Sequence, residues 1–472
     1  MIVVWHYDLD WNSNQIWNAP KEILPYLKEW LRIQRWAGIS MIPSFILREN
    51  DEFTITQSSL TKMIGFLVDL IIEKNQSPMY TYFIPFEITK DPEFPNNFPI
   101  HLQCSDLILY LRPAELNYSF FSVLWNFLAQ NSEIQSTHSN KLFFKQFNSL
   151  VTANLELNSI SALGAQDTTN TLFKLTWSRD FHIVCKIFRI ISKNPEIKML
   201  KNLYYQGFRQ IPQPIGCAGI ELGTTSFPLL LFLEYINTTK DGGWYFWNDL
   251  NQQIESWKPR QQIHTVQLHK FGALLGKTIA EFHFYSSQIS DSFFKPEPIK
   301  SADILKWKNL IKTYLQMTDT IVEEFFNKLN AEDKLISLKT NLITYLKADI
   351  WNALQNLLKI KIHQDLHLSQ MLALQSSGQV FFYLIDFEGD PLLALEEKFQ
   401  KDPIFRDLAS IFSAFHYIKI NCLIQYVKQK WNLTQEDFLK LYLNFSSFRE
   451  KDKKNSDIEQ LISFTKNWER LS

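Results

Sequence analysis

The spacing of apolar residues predicts a strand-rich first half of the chain and a helix-rich second half. In KEILPYLKEWLRIQRWAG, near the amino terminus, apolar residues recur at helical spacing, which predicts one helix. Between about residue 105 and residue 236, β-branched and aromatic stretches such as HIVCKIFRII and SFPLLLFLEYI predict strands. Long amphipathic helices are predicted after Ile236. This order indicates an α+β fold with a cleft between two lobes.

Two local signals interrupt these long runs. The stretch MLALQSSGQVFFYLIDF, residues 371–387, predicts a hairpin that turns at Ser376, Ser377 and Gly378. The segment TKDPEFPNNFP, residues 89–99, is rich in proline and asparagine and predicts a connector.

The segment KNPEIKMLKNLYYQGF predicts a helix with a defined start. Asn194 suits the N-cap, Pro195 suits the first helical position, and Glu196 suits the positive end of the helix dipole. We therefore expect this helix to follow directly after the strand HIVCKIFRII.

Composition narrows the classes of function. The chain has 472 residues, 46% of them hydrophobic, which argues against disorder. Its net charge is −1, so nucleic acid or an anionic membrane is not the expected main partner. The apolar runs are too short to cross a bilayer, and we expect a cytoplasmic protein. Four scattered cysteines suit a reducing compartment: Cys104, Cys185, Cys217 and Cys422.

Candidate chemistry is concentrated in KIHQDLHLSQML and FYLIDFEGDP. Gln370 lies five residues after Asp365, and Asp386 lies at the end of the following predicted hairpin. Phosphoryl transfer needs one carboxylate to orient the attacking hydroxyl and hard oxygen ligands to hold Mg²⁺. Protein kinases space these groups in the same way. Asp365, Gln370 and Asp386 are therefore candidates for the catalytic carboxylate and the two metal ligands.

A kinase also needs a strand lysine in its upstream half. Lys186 lies within the predicted strand HIVCKIFRII, although a lysine there could instead protect the edge of a sheet. The segment FLEYI, which includes Glu234 and Ile236, stands where a hinge between lobes belongs.

The two histidines of the first segment allow two interpretations. His363 and His367, four residues apart, could bind zinc if they lay on a helix. Leu366 and Leu368 alternate with polar residues here, which favours a loop that His363 braces by hydrogen bonds. Glu388 is either a ligand in the metal shell or a solvated loop carboxylate.

The segments HQDLHLSQML, YLIDFEGDP and KDPIFRDLASIFSAFHY together resemble the signature of bacterial maltokinases, which are aminoglycoside-phosphotransferase-like kinases. Further similar segments are LKEWLRIQRWAG, CKIFRIISKNPEI, KDGGWYFWNDL, LLGKTIAEFH and EDFLKLYL, so the resemblance covers nearly the whole chain. It implies a bilobal protein-kinase-like fold. It also implies a cap over residues 1–104, a nucleotide-binding lobe over residues 105–236 and a helical lobe over residues 237–472.

The resemblance implies transfer of the γ-phosphoryl group of ATP, with Mg²⁺, to the anomeric hydroxyl of maltose. The product, maltose 1-phosphate, would feed α-glucan synthesis, with a trehalose synthase or a maltosyltransferase as pathway partner. Asp365 and His363 would be catalytic, and Gln370, Asp386 and Glu388 would bind the metal. The remaining implied residues contact nucleotide or sugar: Lys186, Thr169, Asn170, Glu234 and Ile236 for the nucleotide, and Tyr442 and His367 for the sugar. Tyr442 could equally pack in the core.

The chain departs from the family pattern at three places. Gln364 replaces a glycine before the catalytic aspartate, and the nucleotide loop reads GAQDTTNTLF. Lys198 occupies the position of the helix glutamate that pairs with the strand lysine, while Glu196 lies on another face of an ideal helix. Either the alignment slips by two residues, or Lys198 binds ATP, or activity is impaired. Two alternative functions follow: a kinase for another sugar or an amino sugar such as glucosamine, and a pseudokinase partner of a glucan or trehalose enzyme.

Overall fold

The chain forms two compact units. The computed structural model describes residues 2–5, 20–34, 37, 42, 44–57, 61–72, 78–89, 100–104, 107–136, 138–148, 155–164, 170–444 and 453–471. Unit 1 comprises Met1–Lys201 and Pro212–Tyr235, and unit 2 comprises Asn202–Ile211 and Ile236–Ser472. The predicted division at residues 104 and 236 stays a prediction.

The first sheet of unit 1 has six strands among the described residues. They are β1 (Ile2–Trp5), β2 (Ile46–Gln57), β3 (Thr61–Ile71), β4 (Tyr80–Thr89), β5 (Ile100–Cys104) and β6 (Leu107–Pro113). Their order is β1-β5-β6-β4-β3-β2, and only β1 and β5 pair in parallel. Helix α1 (Pro20–Arg32) packs against this sheet through the buried Leu27 and Leu31. The helix predicted near the amino terminus is therefore present.

The second sheet of unit 1 has seven antiparallel strands among the described residues. They are β7 (Glu133–Gln135), β8 (Lys141–Gln146), β9 (Leu157–Leu163), β10 (Thr171–Trp177), β11 (Phe181–Ile187), β12 (Pro214–Leu222) and β13 (Thr225–Glu234). Their order is β7-β8-β12-β13-β11-β10-β9. Helix α2 (Tyr118–Gln130) packs on this sheet, and α3 (Glu196–Gln206) follows β11. In this strand order β11 lies between β13 and β10.

One hydrophobic core joins the two sheets of unit 1. Trp125 of α2 packs against Trp177 of β10, with ring centroids 5.1 Å apart. Phe53, Leu67 and Phe83 of the first sheet belong to the same buried cluster. The high phenylalanine content, 38 residues, supplies much of this core. Aromatic side chains suit this position because each buries a large apolar area.

A buried ion pair lies beside this core. Arg189, 2% exposed, pairs with Glu115, 6% exposed, and its Nε donates to Thr171 Oγ1 at 3.1 Å. The backbone carbonyl of Arg189 also accepts from Phe83 N at 2.8 Å, which links the pair to the first sheet. A buried ion pair adds little net stability, but removal of one partner leaves a charge in the interior.

Unit 2 is mostly helical. Its helices are α4 (Trp244–Glu255), α5 (Val266–Gln288), α6 (Ser301–Lys328), α7 (Glu332–Lys347), α8 (Leu395–Lys398), α9 (Phe405–Trp431), α10 (Gln435–Asn444) and α11 (Lys453–Leu471). Its strands form two pairs, β14 (Glu297–Pro298) with β15 (Leu358–Lys359) and β16 (Met371–Ser376) with β17 (Gln379–Leu384). Short 3-10 turns cover Ala114–Leu116 and Ser178–Asp180 in unit 1, and Asp349–Leu354 and Leu368–Gln370 in unit 2.

Helix α4 contacts several other elements of unit 2. Phe246 of α4 lies edge-on to Phe415 of α9, with ring centroids 4.8 Å apart, and stacks on Phe382 of β17 at 6.4 Å. Trp468 of α11 donates from Nε1 to Asp249 Oδ2 of α4 at 2.8 Å. Helix α4 thus connects the hairpin, α9 and α11 directly.

The predicted α+β class is confirmed, with most of the described strands in unit 1 and the long helices in unit 2. The hairpin prediction is confirmed as well. Ser377 and Gly378 have φ of 50° and 75°, which is the left-handed pair that a tight hairpin turn requires. Residues 90–99 of the predicted connector lie outside the described residues. Within the described residues, no helix combines the length and apolar character that a bilayer crossing needs.

We expect Glu115→Gln to lower the free energy of unfolding by about 3 kcal/mol, because the guanidinium of Arg189 would stay buried without its carboxylate. Urea-induced unfolding, followed by circular dichroism, measures the change. The control is Glu133→Gln, which removes the carboxylate of an exposed pair with Lys141 and should cost far less. Equal losses for the two variants would contradict the prediction.

Candidate functional site

The 361–370 loop of unit 2 is held by one buried carboxylate. Asp407, in the first turn of α9, is fully buried and accepts hydrogen bonds from the backbone N–H groups of His363 (3.0 Å) and Gln364 (2.9 Å). Its Oδ2 also lies 2.9 Å from Nε2 of His283 on α5. Three donors on one carboxylate fix the backbone immediately before Asp365.

His363 ties the same loop to the end of the hairpin. Its Nε2 lies 2.9 Å from the carbonyl oxygen of Ile385. Burial lowers the pKa of His363, against the attraction of Asp407, Asp386 and Asp365. The ring is therefore neutral near pH 7, and Nε2–H donates to the carbonyl. The segment is a loop, not a helix, so the geometry that the zinc alternative required is not present.

Asp365, Gln370 and Asp386 come to the same region of unit 2. Ile385 N donates to the carbonyl of Gln370 at 3.0 Å, which brings Gln370 beside Asp386. Asp386 adopts φ of 64°, and its carboxylate and that of Glu388 have oxygens within 4.8 Å of each other. The side chains of Asp365, Gln370 and Asp386 are all half-buried, so they can contact a ligand. The carboxylates and the amide supply hard oxygen atoms, which are the donors that Mg²⁺ prefers.

Gln364 adopts the backbone conformation that glycine has at low cost. Its φ is 74°, which costs a non-glycine residue about 1–2 kcal/mol. The buried side chain offsets this cost with hydrogen bonds from Nε2 to the carbonyl of Glu397 (3.1 Å), the carbonyl of Gln400 (3.3 Å) and Asp402 Oδ2 (3.1 Å). The side chain of Gln364 therefore helps to hold the loop in this left-handed conformation.

The side-chain oxygen of Gln364 lies next to two other residues, Gly389 and Lys361. A Cβ at Gly389, φ 78°, would lie 2.7 Å from Gln364 Oε1, so only glycine fits beside this side chain. Lys361 donates to the same Oε1 at 3.3 Å and to the carbonyl of Lys398. Burial lowers the pKa of Lys361 to about 8, although Asp402 and Asp407 favour its charged form.

A pocket of about 810 Å³ opens beside Asp365 within unit 2. His367 also lines it, with Nε2 3.6 Å from Asp365 Oδ2. The other lining residues come mainly from α4, α9 and the segments before them: Asp241, Gly243, Trp244, Trp247, Leu368, Ser369, Arg406, Ala409, Ser410, Ser413, Ala414, Tyr417 and Ile418. The pocket therefore offers aromatic surface next to the predicted catalytic carboxylate.

Most of these pocket residues were not predicted individually. Asp241, Trp244 and Trp247 lie in KDGGWYFWNDL, and Arg406 and Tyr417 lie in FRDLASIFSAFHY, two segments on which the resemblance depends. The segments could have been identified as a binding region, but their pattern does not show which side chains face a cavity. Arg406 is oriented by Asp390 and Asp402, at 2.8 Å and 3.2 Å.

The structure places Tyr442, the predicted sugar contact, away from this pocket. Its ring lies on α10, 5.8 Å from the ring of Phe438, and it is not among the pocket-lining residues. Lys419 and Lys466 lie over its ring, at 6.0 Å and 5.7 Å. Tyr417 is the tyrosine that lines the pocket.

In unit 1, Lys186 pairs with Glu196. Lys186 Nζ lies 2.7 Å from Glu196 Oε2, and both side chains are 5% exposed or less. Of the three explanations left open for this departure, the pair supports the first, a slip of the alignment by two residues. Glu196 is the first residue of α3, where Asn194 Oδ1 accepts from its N–H at 2.8 Å and orients the turn. Lys198 is exposed, so a two-residue slip of the alignment explains the departure.

Asn170, Glu234 and Ile236, which were also predicted to contact the nucleotide, are among the described residues. Lys186 lies in β11, between β10 and β13, so the edge-protection alternative is wrong. Asn170 directly precedes β10, whereas Thr169 lies outside the described residues. Glu234 ends β13, where its N–H donates to the carbonyl of Gln213 at 2.9 Å, and Ile236 is buried.

No protein-family model matches the chain. Among solved structures, a glucosamine kinase in its crystal form A is similar with a TM-score of 0.53 and 13% identity, over 90% of each chain. A glucosamine kinase in complex with glucosamine, ADP and inorganic phosphate is similar with a TM-score of 0.53 and 14% identity, over 94% of this chain and 96% of that chain. At this level of identity the likeness shows the fold, and the predicted kinase-like α+β fold is confirmed.

We expect Asp407→Asn to loosen the 361–370 loop. The carboxylate accepts hydrogen bonds from two backbone N–H groups, whereas the NH₂ of an amide would face one of these donors and could not accept from it. Hydrogen–deuterium exchange of the amides of His363 and Gln364 should become about tenfold faster or more. The surface variant Asp319→Asn, on α6, is the control and should leave exchange in this loop unchanged. Unaltered exchange in Asp407→Asn would show that the loop is held by other contacts.

We expect Lys361 to make stability rise with pH above about 8. The folded protein releases the proton of Lys361 near pH 8, whereas the unfolded chain keeps it up to the ordinary pKa of 10.5. Between these values the unfolded chain binds more protons, so the free energy of unfolding increases with pH. The unfolding free energy of the wild type minus that of Lys361→Met, measured in urea at several pH values, should therefore grow across this window. Lys270→Met, an exposed lysine of α5, controls for the loss of one charge, and a pH-independent difference would contradict the prediction.

Proposed function

We propose that this protein is an ATP- and Mg²⁺-dependent sugar kinase whose acceptor is maltose and whose product is maltose 1-phosphate. The observation that carries the proposal is the pocket of about 810 Å³ beside Asp365, because an acceptor bound there would meet the carboxylate that the sequence predicts to be catalytic. The kinase-like fold supports the reaction class, and the resemblance to maltokinases supports the acceptor.

The size and walls of the pocket suit a disaccharide. Its volume lies within the range of ligand pockets, roughly 300–1,000 Å³. Trp244, Trp247 and Tyr417 line it, and flat aromatic rings bind the apolar faces of pyranoses. Three such side chains could contact two sugar rings, which favours maltose over a single hexose.

Asp365 would orient the acceptor hydroxyl and take its proton. The sugar oxygen would form a bond to the γ-phosphorus while the bond from that phosphorus to the bridging oxygen of ADP breaks. Asp407 and His363 would keep Asp365 in position through the 361–370 loop, and His367, 3.6 Å away, would stabilise the carboxylate. Positioning and electrostatic stabilisation are the main contributions that a protein makes to this reaction.

Gln370, Asp386 and Glu388 would hold Mg²⁺. The close approach of the Asp386 and Glu388 carboxylates, whose oxygens lie within 4.8 Å of each other, fits a divalent cation, because carboxylate oxygens are hard ligands. When bound, the metal would neutralise charge on the phosphates. The alternative of a pseudokinase is less well supported, because this chain keeps all of these oxygen donors.

Lys186, Thr169, Asn170, Glu234 and Ile236 keep their predicted roles toward the nucleotide in this proposal. The buried pair between Lys186 and Glu196 supports it, since kinases hold their phosphate-binding lysine by a helix glutamate. A trehalose synthase or a maltosyltransferase stays the predicted pathway partner.

An amino sugar is the second candidate acceptor, and Asp241 is the observation that favours it. This side chain is exposed, lines the pocket and has no ion pair among the described residues. A carboxylate in that position could bind the ammonium of glucosamine, as well as a hydroxyl of maltose. One similar structure is described as a complex with glucosamine, which makes this alternative concrete.

We expect the purified protein to phosphorylate maltose when it is incubated with ATP, Mg²⁺ and a panel of maltose, glucose, glucosamine and trehalose. Mass spectrometry identifies the phosphorylated sugar. Asp365→Asn should lower kcat about 100-fold or more, with little change in ATP affinity, because the hydroxyl loses its proton acceptor. Asp333→Asn, an exposed aspartate of α7, is the control variant. Without transfer to any sugar, the kinase proposal fails.

Asp241→Asn should distinguish the two acceptors. If the pocket is built for an amino sugar, this change should raise KM for glucosamine about tenfold or more, since an ammonium loses its counter-charge. For maltose the effect should be small, because an amide can still bond a hydroxyl. Steady-state kinetics with both sugars gives the comparison, and a larger loss with maltose would be inconsistent with this role of Asp241.

A further inference from the structure

A second pocket of unit 2, of about 580 Å³, lies apart from the one beside Asp365. Its lining residues come from the 257–263 segment after α4 and from α11: Trp257, Arg260, Gln261, Gln262, Ile263, Gln460, Ser463, Phe464, Asn467, Arg470 and Leu471. Trp244 and Trp247, at the start of α4, line the first pocket, whereas Trp257 follows its last residue. At 1.5 Å per residue the two ends of this helix, Trp244 and Glu255, are about 17 Å apart.

The charged residues that line this pocket are all positive among the described residues. Arg260 and Arg470 line it, and neither forms an ion pair with any residue that the structure describes. None of the described lining residues is acidic. Lys430 adds a third positive charge nearby, with Nζ 5.8 Å from the ring centre of Trp257. Such a surface attracts an anion, and the planar fork of a guanidinium group matches the geometry of a phosphate.

The uncharged part of the lining suits a carbohydrate. Gln262, Gln460 and Asn467 supply amides that can both donate to and accept from hydroxyl groups. The buried rings of Trp257 and Phe464 form an apolar wall, which suits the C–H face of a sugar.

Both walls of the pocket are held in place by α4. Gln253, 5% exposed, bonds both the N–H of His264 (2.9 Å) and its carbonyl (3.1 Å), which fixes the end of the loop. Asp249 accepts from Trp468 and so fixes α11. The pocket therefore needs little reorganisation to bind a ligand.

Arg260 also carries backbone strain at this place. Its φ is 67°, in the left-handed region, which costs a residue with a Cβ about 1–2 kcal/mol. A glycine would relieve the strain but would remove the guanidinium. Strained residues of this kind concentrate at binding sites, where the surrounding structure enforces them.

We propose that the pocket formed by the 257–263 segment and α11 is a second, non-catalytic binding site for a phosphorylated sugar. Arg260 and Arg470 bind its phosphate, and the neighbouring amides bind its hydroxyl groups. The site is separate from the acceptor pocket, and the proposal holds whichever sugar is phosphorylated there.

Isothermal titration calorimetry of the full chain without ATP tests the proposal, with glucose 1-phosphate as the probe. The wild type should bind it, and Arg260→Gln/Arg470→Gln should bind it about tenfold more weakly or worse. Lys258→Gln removes one charge from the same loop outside the pocket and should keep the wild-type affinity. Tyr417→Ala, which alters the first pocket, should also keep it.

Further binding measurements test whether this pocket binds a phosphorylated sugar. Arg260→Gly should weaken binding without loss of thermal stability, because it removes the guanidinium and the strain together, so a fold defect cannot mimic the result. Glucose and inorganic phosphate should each bind more weakly than glucose 1-phosphate, and equal binding of inorganic phosphate would remove the sugar from the proposal. Wild-type affinity in the double arginine variant, loss of binding only in Tyr417→Ala, or no binding by the wild type would overturn it.

Discussion

The hydrogen bonds that converge on Asp407 are the constraint on which the candidate site depends. One buried carboxylate accepts from two successive backbone N–H groups of the 361–370 loop and from a histidine of α5. In a low-dielectric interior such charge-assisted bonds are strong, and loss of the acceptor would leave buried donors unsatisfied. The position of Asp365 therefore depends on Asp407, which lies on α9 and contacts no substrate in the proposed reaction.

The same loop shows how a strained residue is accommodated. Gln364 takes a left-handed conformation, which glycine adopts at lower cost, and its side chain bonds the segment around Asp402. The buried ammonium of Lys361 belongs to this network, which explains why the lysine is kept in an apolar region despite its desolvation cost. Backbone strain and a buried charge are thus offset by hydrogen bonds that the two side chains share.

Helix α4 relates the two pockets of unit 2. Its first turn lines the acceptor pocket, and the segment after its last turn lines the pocket of Arg260 and Arg470. The chemistry of the two cavities differs in a way that suits different ligands. The first combines aromatic rings and the ion-paired Arg406 with Asp241 and Asp365, which suits a neutral or amino sugar. The second has amides and two guanidinium groups without a described ion pair, and no described carboxylate lines it.

The sequence alone determined the features that depend on residues close together along the chain. Asp365, Gln370 and Asp386 were identifiable because a loop and a hairpin of defined length separate them, and the hairpin turn and the start of α3 follow from local backbone preferences. Only the tertiary structure decided that Glu196 meets Lys186, that Tyr417 and not Tyr442 lines the pocket, and that Gln364 bonds to distant carbonyls. These arrangements depend on how strands, helices and loops pack against one another, and this packing sets the direction of each side chain, which no local pattern encodes.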